Sequence, residues 1–442
     1  MSTLTILIVI VFLLGYTSIA LEGITRVNKA AVALLMFVLT WTVFMVDPGL
    51  YFEGTDPHSV ANGRIVHHLG ETATTLFFLM GAMAVVEVVD RNGGFNFVRN
   101  MMRTRSKRSL LWRVAFLTFF LSAILDNLTT SIVMVMLLRK LVQDRKDLVK
   151  IACAIIVAAN AGGAFSPIGD VTTIMLWNQG VITAGGVIKE LFLPSLVAML
   201  VPVLMLHFSL RGELAEPEIT AEDVIDELNA HQRRTVFFLG VGGLIFVPIF
   251  HSLTDLPPFM GILLVLGALW LITELFYGTA RLKKRENIRN RVSRLLGRID
   301  MSTIMFFLGI LMAVGCLEEI GVLTLLGQWL DGVSGGNHYV ITGLIGAISS
   351  IVDNVPLVAG CMGMYPPTPT GDMAVDGVFW QLLAYCAGVG GSLLIVGSAA
   401  GVVVMGMAKI SFGNYMKHMS LYALVGYLAG MFCYFLLRTF VF

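Results

Sequence analysis

Ser122-Ala-Ile-Leu-Asp126-Asn127-Leu-Thr129-Thr130 sets a carboxylate and an amide in the middle of a long apolar run. An ionised acid at bilayer depth costs roughly 3 kcal/mol or more, so an acid in such a place is read as functional. The phrase recurs at Ser349-Ser350-Ile-Val-Asp353-Asn354-Val-Pro356-Leu357, with Asp353 and Asn354 in the matching positions.

Around these two stretches the composition is that of an integral membrane protein. The 442 residues are 57% hydrophobic and only 13% charged, against the roughly 25% charged residues of soluble domains. Mean hydropathy is +0.83. Several apolar runs reach the ~20 residues that cross a ~30 Å hydrocarbon core, and they do not alternate as barrel strands do. The expected fold is therefore an all-α polytopic bundle in a lipid bilayer. No basic patch interleaved with aromatics points to nucleic acid. The five cysteines, Cys153, Cys316, Cys361, Cys386 and Cys433, lie in apolar segments without metal-ligand spacing and read as small core residues. Thr3 to Leu21 lacks a basic n-region and an Ala-x-Ala site, and reads as a retained first span.

Apolar segments fall near 4–21, 30–46, 65–89, 110–138, 151–177, 187–209, 235–251, 259–278, 302–318, 339–364, 378–408 and 419–437. Charge decides which of them cross. Basic residues cluster on both flanks of 110–138, from Arg91 to Arg113 and from Arg139 to Lys150. By the positive-inside rule both flanks face the cytoplasm, so this segment is expected to be re-entrant. The flanks of 339–364, residues 319–338 and 365–377, carry no Lys or Arg, and this segment is expected to dip in from the opposite face. About ten spans plus two re-entrant hairpins then put all but three of the 30 basic residues, Arg64, Lys189 and Arg438, on the cytoplasmic side, with both termini outside. The expected domains are scaffold helices at 1–63 and a first repeat at 64–209, with hairpin 110–138 and a broken helix at 151–177. An acidic cytoplasmic linker (210–234), further scaffold helices (235–278) and a second repeat follow. The second repeat, 279–442, has hairpin 339–364 and a broken helix at 378–408.

The repeat extends beyond the two quoted phrases. Phe77-Phe78-Leu79 matches Phe306-Phe307-Leu308 at an offset of 229, the Asp-Asn pairs match at 227, and Gly162-Gly163 with Gly169 match Gly390-Gly391 with Gly397 at 228. Five crossings separate the starts of the copies, an odd number, so the copies are inverted. Inverted repeats with broken helices and a midplane site are the pattern of secondary transporters.

Asn160 through Thr173 carries three glycines and a proline inside a spanning run and is expected to unwind. Unwound backbone is tolerated in a membrane only where it lines a cavity. Its carbonyls, with Asp126, Asn127, Thr129, Thr130, Asn160, Gly162, Gly163, Asp170, Thr172 and Thr173, offer hard oxygen ligands to a small alkali cation. The plainer reading of the glycines is close helix packing, and of Asp126 a helix N-cap. The second copy has Ser398 for Asp170, Pro356-Leu357 for Thr129-Thr130 and Gly388 for Asn160. The first copy is thus expected to hold the cation, with Ser350, Asp353, Asn354, Ser392 and Ser398 closing the site. Asp126, Asn127, Asp170 and Asp353 are the expected sodium ligands. Glu71 and Asp300 also pair across the repeat and are candidate pH-sensing or pathway residues, the plainer reading being acids near helix starts, where the dipole favours them. His67 and His68 beside Glu71 mark a possible pH-sensing point or pathway.

Leu125-Asp126-Asn127-Leu128-Thr129-Thr130, the run Asn160 to Thr173 with its Ser-Pro-Ile-Gly-Asp-Val-Thr-Thr, and Asp353-Asn354 together resemble the NhaD-type sodium/proton antiporters of the ion transporter superfamily. The resemblance implies sodium or lithium efflux against protons, in a bacterial cytoplasmic membrane or an organelle membrane of bacterial descent. It implies a scaffold domain, often homodimeric, and a transport domain that moves as an elevator, with Asp126, Asn160, Asp170, Thr172, Thr173 and Asp353 as ion and proton residues. No cofactor is expected beyond the transported ions. Desolvation favours a protonated carboxyl and a bound cation favours the ionised form, so proton and sodium would compete for Asp126 and Asp170. One rival is an arsenite or dicarboxylate permease; dicarboxylate carriers of the superfamily bear Ser-Asn-Thr at the hairpin tip, where this chain has Asp-Asn. A remoter rival is an intramembrane enzyme using Asp126 and Asp353 as a pair.

Overall fold

The computed structural model describes residues 2–21, 25–52, 56–95, 98, 101–102, 104–214, 228–281, 292–351, 353–395 and 397–441. Arg99, Arg103, most of the acidic linker and most of the Arg281–Arg298 cluster lie outside the described residues. Those described are helical, with no strand among them. Among the described residues, eight helices are long and apolar enough to cross a membrane.

Numbered in chain order, the helices of eight residues or more begin with α1 (Thr3–Ala20), α2 (Lys29–Phe44) and α3 (Pro57–Arg91). At ~1.5 Å per residue the 35 residues of α3 measure about 52 Å and outrun a ~30 Å hydrocarbon core. Segment 110–138 is two helices, α4 (Lys107–Leu125) and α5 (Asn127–Leu141), which pack on each other and meet at Asp126. Segment 151–177 is α6 (Arg145–Ala164), a six-residue run of turns and α7 (Val171–Asn178). Then come α8 (Ala184–Ser209), α9 (Ala230–Thr254), α10 (Pro258–Arg281), α11 (Met301–Glu319) and α12 (Val322–Ser334). Segment 339–364 divides into α13 (His338–Ser349) and α14 (Asn354–Met364), segment 378–408 into α15 (Val378–Gly390) and α16 (Ala399–Ala408), and α17 (Leu421–Phe440) ends the chain.

The start signals are local. Ser106, Asp144 and Asn337 accept backbone N–H bonds at the starts of α4, α6 and α13, satisfying amides that a helix leaves unpaired. Unwinding is narrower than the sequence reading expected. It is confined to 165–170, and Gly162 and Gly163 remain helical in α6. Their smallness serves packing instead: a Cβ on Gly162 would strike the Phe119 carbonyl of α4, and one on Gly163 would meet the Gly169 carbonyl.

The same contacts recur in the other half. A Cβ on Gly390 would strike the Gly346 carbonyl of α13, as Gly162 does at Phe119. Ser122 Oγ donates to the Ala159 carbonyl, and Ser349 Oγ donates to the Ala387 carbonyl at 3.0 Å. The second arms cross over: α5 packs against α16, and α14 against α7. Each interrupted pair is thereby completed by the other half of the chain.

Candidate functional site

The crossing of α5, α7, α14 and α16 brings four helix N-termini together, at Asn127, Asp170, Asn354 and Ser398. Asp170, 1% exposed, caps α7 and accepts from Asn127 of α5 and Asn354 of α14. Asn127 Nδ2 donates to its Oδ2 at 2.8 Å. Asn354 Nδ2 lies 3.4 and 3.3 Å from its two oxygens, and the Thr172 backbone N–H donates to Oδ1 at 3.2 Å. Its backbone carbonyl takes the Thr173 hydroxyl at 2.8 Å.

Asn160 joins the two copies. Its Oδ1 takes a 3.3 Å bond from Asn127, and its Nδ2 donates at 2.9 Å to both Ser392 Oγ and Ser398 Oγ. The sequence reading placed all of these residues at the site, and the structure joins them in one buried network. One turn on from Asn127, the Thr130 hydroxyl is buried without a hydrogen-bond partner, as is that of Ser131. A buried oxygen of this kind costs about 1–3 kcal/mol unless something engages it.

Asp126 and Asp353 sit outside that network. Asp126 caps α5, accepting the Thr129 N–H and the Thr129 hydroxyl, both at 2.8 Å. Asp353 makes no cap bond and instead pairs with Lys29 of α2 at 2.8 Å. Ser350 Oγ donates to the Ala347 carbonyl of its own helix. Lys29 escaped the sequence reading because a lysine opening an apolar helix looks like one that reaches out to water.

The third group lies elsewhere. His68 Nε2 is 2.9 Å from Glu319 Oε1 across α3 and α11, His67 Nε2 is 3.5 Å from Glu71, and Arg64 is 3.8 Å from Glu319. Asp300 caps α11 as expected, accepting the Ser302 and Thr303 N–H groups. Glu71 does not lie at a helix start: α3 begins at Pro57, which puts Glu71 well inside the helix among the histidines. Among the described residues there is no cluster of three or more His, Cys, Asp or Glu suited to a resident metal.

The fold and the network agree with what the chain is similar to. The citrate transporter family model matches residues 16–383. Sodium/proton antiporter 1 of Arabidopsis thaliana is 44% identical over 96% of this chain and 71% of its own length. The Na(+)/H(+) antiporter NhaD of Alkalimonas amylolytica is 32% identical over 90% of this chain and 83% of its own. Among solved structures, the YdaH transporter of Alcanivorax borkumensis, described as having an unusual topology, superposes with a TM-score of 0.60 over 94% of this chain and 99% of that one. At 14% identity this last likeness speaks for the fold alone. The chain is a multi-pass membrane protein of the citrate transporter family, and within it belongs with the NhaD-type sodium/proton antiporters.

Proposed function

We propose that this protein is a secondary transporter that exchanges cytoplasmic sodium, or lithium, for external protons at the Asp170 network. The observation that carries the reading is Asp170 itself: a buried carboxylate held by neutral amide donors from both halves of the chain. Proton and cation compete for such a group, since desolvation favours the first and a bound cation the ionised form. Asn127, Asn160, Asn354, Ser392, Ser398, Thr130, Thr172 and Thr173 supply neutral oxygens of the hard kind a small alkali ion takes. Asp126 at the tip of α4–α5 adds a second negative charge within electrostatic reach.

The paired contacts at Gly162 and Gly390, and at Ser122 and Ser349, support two inverted repeats with re-entrant hairpins α4–α5 and α13–α14. In this reading the two hairpins and broken helices move as one body against the scaffold helices, through which the protein forms a homodimer. The antiporter and transporter names of the relatives fit a non-enzymatic carrier. The family description keeps an anion such as citrate as the second reading. Helix N-termini attract anions, but here Asp126 and Asp170 already occupy two of them, and their charge repels an anionic substrate.

The test is sodium-induced dequenching of a pH-sensitive dye in everted vesicles. Wild type is expected to respond to sodium, and Asp170→Asn to lose at least about a hundredfold of that response, the scale of a lost charged ligand at a buried site. A sodium-silent wild type that takes up citrate would overturn the proposal in favour of the anion reading.

A further inference from the structure

Asp126 and Asp353 stand at the same place in the two copies, yet they have different partners. In the first copy Thr129 supplies an N–H and a hydroxyl to Asp126. In the second copy the matching position is Pro356, which has neither, and Asp353 is left without a bond to its own helix. The carboxylate therefore reaches another element. Lys29 Nζ lies 2.8 Å from Asp353 Oδ2, with the two side chains 26% and 14% exposed. The same ammonium sits 4.2 Å above the ring of Phe306, which is fully buried in α11, an arrangement that favours a cation.

Lys29 opens α2, which packs against α1 and α11, and Asp353 begins α14, which packs against α11 and α12 and also against α7 with its Asp170 cap. Tyr16 of α1 and Asp170 lie within electrostatic reach of Asp353. Asp300, the N-cap of α11, is held by its own helix at Ser302 and Thr303.

We propose that Lys29 is a tethered counter-cation for Asp353, a positioning residue that holds the second carboxylate in place of a transported ion and confines cation exchange to the Asp170 network. This rests on the antiport reading. While the ammonium is on Asp353, the second carboxylate adds little negative potential at Asp170. Without it, an unpaired partly buried carboxylate faces the site and draws cations to it.

The experiment measures half-saturating sodium and maximal rate of proton flux in vesicles. Asp353 lies within electrostatic reach of Asp170, and an unscreened negative charge there strengthens cation binding, so Lys29→Met is expected to lower half-saturating sodium by about tenfold or more. The maximal rate should change less than about threefold, since a uniform change in ground-state binding moves the half-saturation and not the turnover. Lys29→Arg, which keeps the charge, should retain the wild-type value. The double variant Lys29→Met with Asp353→Asn, which carries neither charge, should return to it.

Should Lys29→Met not reach the membrane, Lys29→Cys reports instead. An aminoethylating thiol reagent, which rebuilds an ammonium, should raise half-saturating sodium toward the wild-type value, and a methylating reagent should not; wild type treated alike is the control. Unchanged half-saturation in Lys29→Met, a double variant no closer to wild type than the single, or equal effects of the two reagents would each overturn the tether. A sodium-silent wild type would overturn the antiport reading instead, so the two failures are told apart.

Discussion

At the residue scale the sharpest local feature is the backbone of Asp126, at φ 78 and ψ 158. That region is essentially open to glycine alone, and holding another residue there costs about 1–3 kcal/mol. The tip tolerates it because one residue must end α4 and start α5 at once, and because the carboxylate caps the new helix, worth about 1 kcal/mol. The two contributions separate by substitution. Asp126→Ala loses the cap and keeps the strain, while Asp126→Gly loses the cap and relieves the strain. The glycine variant is therefore expected to melt about 1–2 °C above the alanine variant in detergent, the shift that about 1–2 kcal/mol produces in a chain of this size. An alanine variant melting at or above the glycine variant would show that the tip is unstrained.

At the element scale, the contacts of α4 with α6 and of α13 with α15 depend on glycine. Gly162 and Gly390 present bare backbone to the carbonyls of Phe119 and Gly346, and a methyl group has no room at either place. Overpacking of this kind costs about 1–3 kcal/mol, and more where the obstacle is backbone that cannot rotate away. Gly162→Ala and Gly390→Ala are both expected to cut the yield of folded protein on size-exclusion chromatography. Gly70→Ala, where a Cβ would meet nothing within 4 Å, should not. The sequence already marked these glycines through their constant offset. It did not distinguish a glycine that unwinds a helix from one that admits a neighbour, because both uses ask for the same missing side chain.

At the scale of the whole molecule the open question is how the segments thread the bilayer. Charge clusters on both flanks of α4–α5, and their lack around α13–α14, argue that each pair returns to the face it left. The 19 residues of α4 are long enough to cross by themselves, so length does not decide it. Single cysteines at Arg105 and Gln143, before and after the first pair, are expected to react with an impermeant maleimide from the cytoplasmic side only. Cysteines at Gly332 and Thr370, which bracket the second pair, should react from the other side only. Labelling of either pair from opposite faces would remove the re-entrant hairpins and with them the inverted repeat. The crossing of α5 onto α16 and of α14 onto α7 would remain, since it belongs to the packing and not to the threading.

The chain alone determined its class, its apolar segments and the four places where helices break, because each is written in hydropathy, in charge or in the local chemistry of Gly, Pro, Asp and Asn. Burial of Asp170 beside Asn127 was also foreseeable, since both stand at break positions; Asn160, bonded to Asn127, stands one turn before the break, still inside α6. Only the tertiary structure decided which carboxylate meets which partner. Asn354 reaches Asp170, Asn160 reaches Ser392, and Lys29 reaches Asp353 across 184, 232 and 324 residues of sequence. No periodicity encodes bonds of that range; they follow from how two halves interlock, and from Pro356 withholding the local bonds that Thr129 gives Asp126 in the first copy.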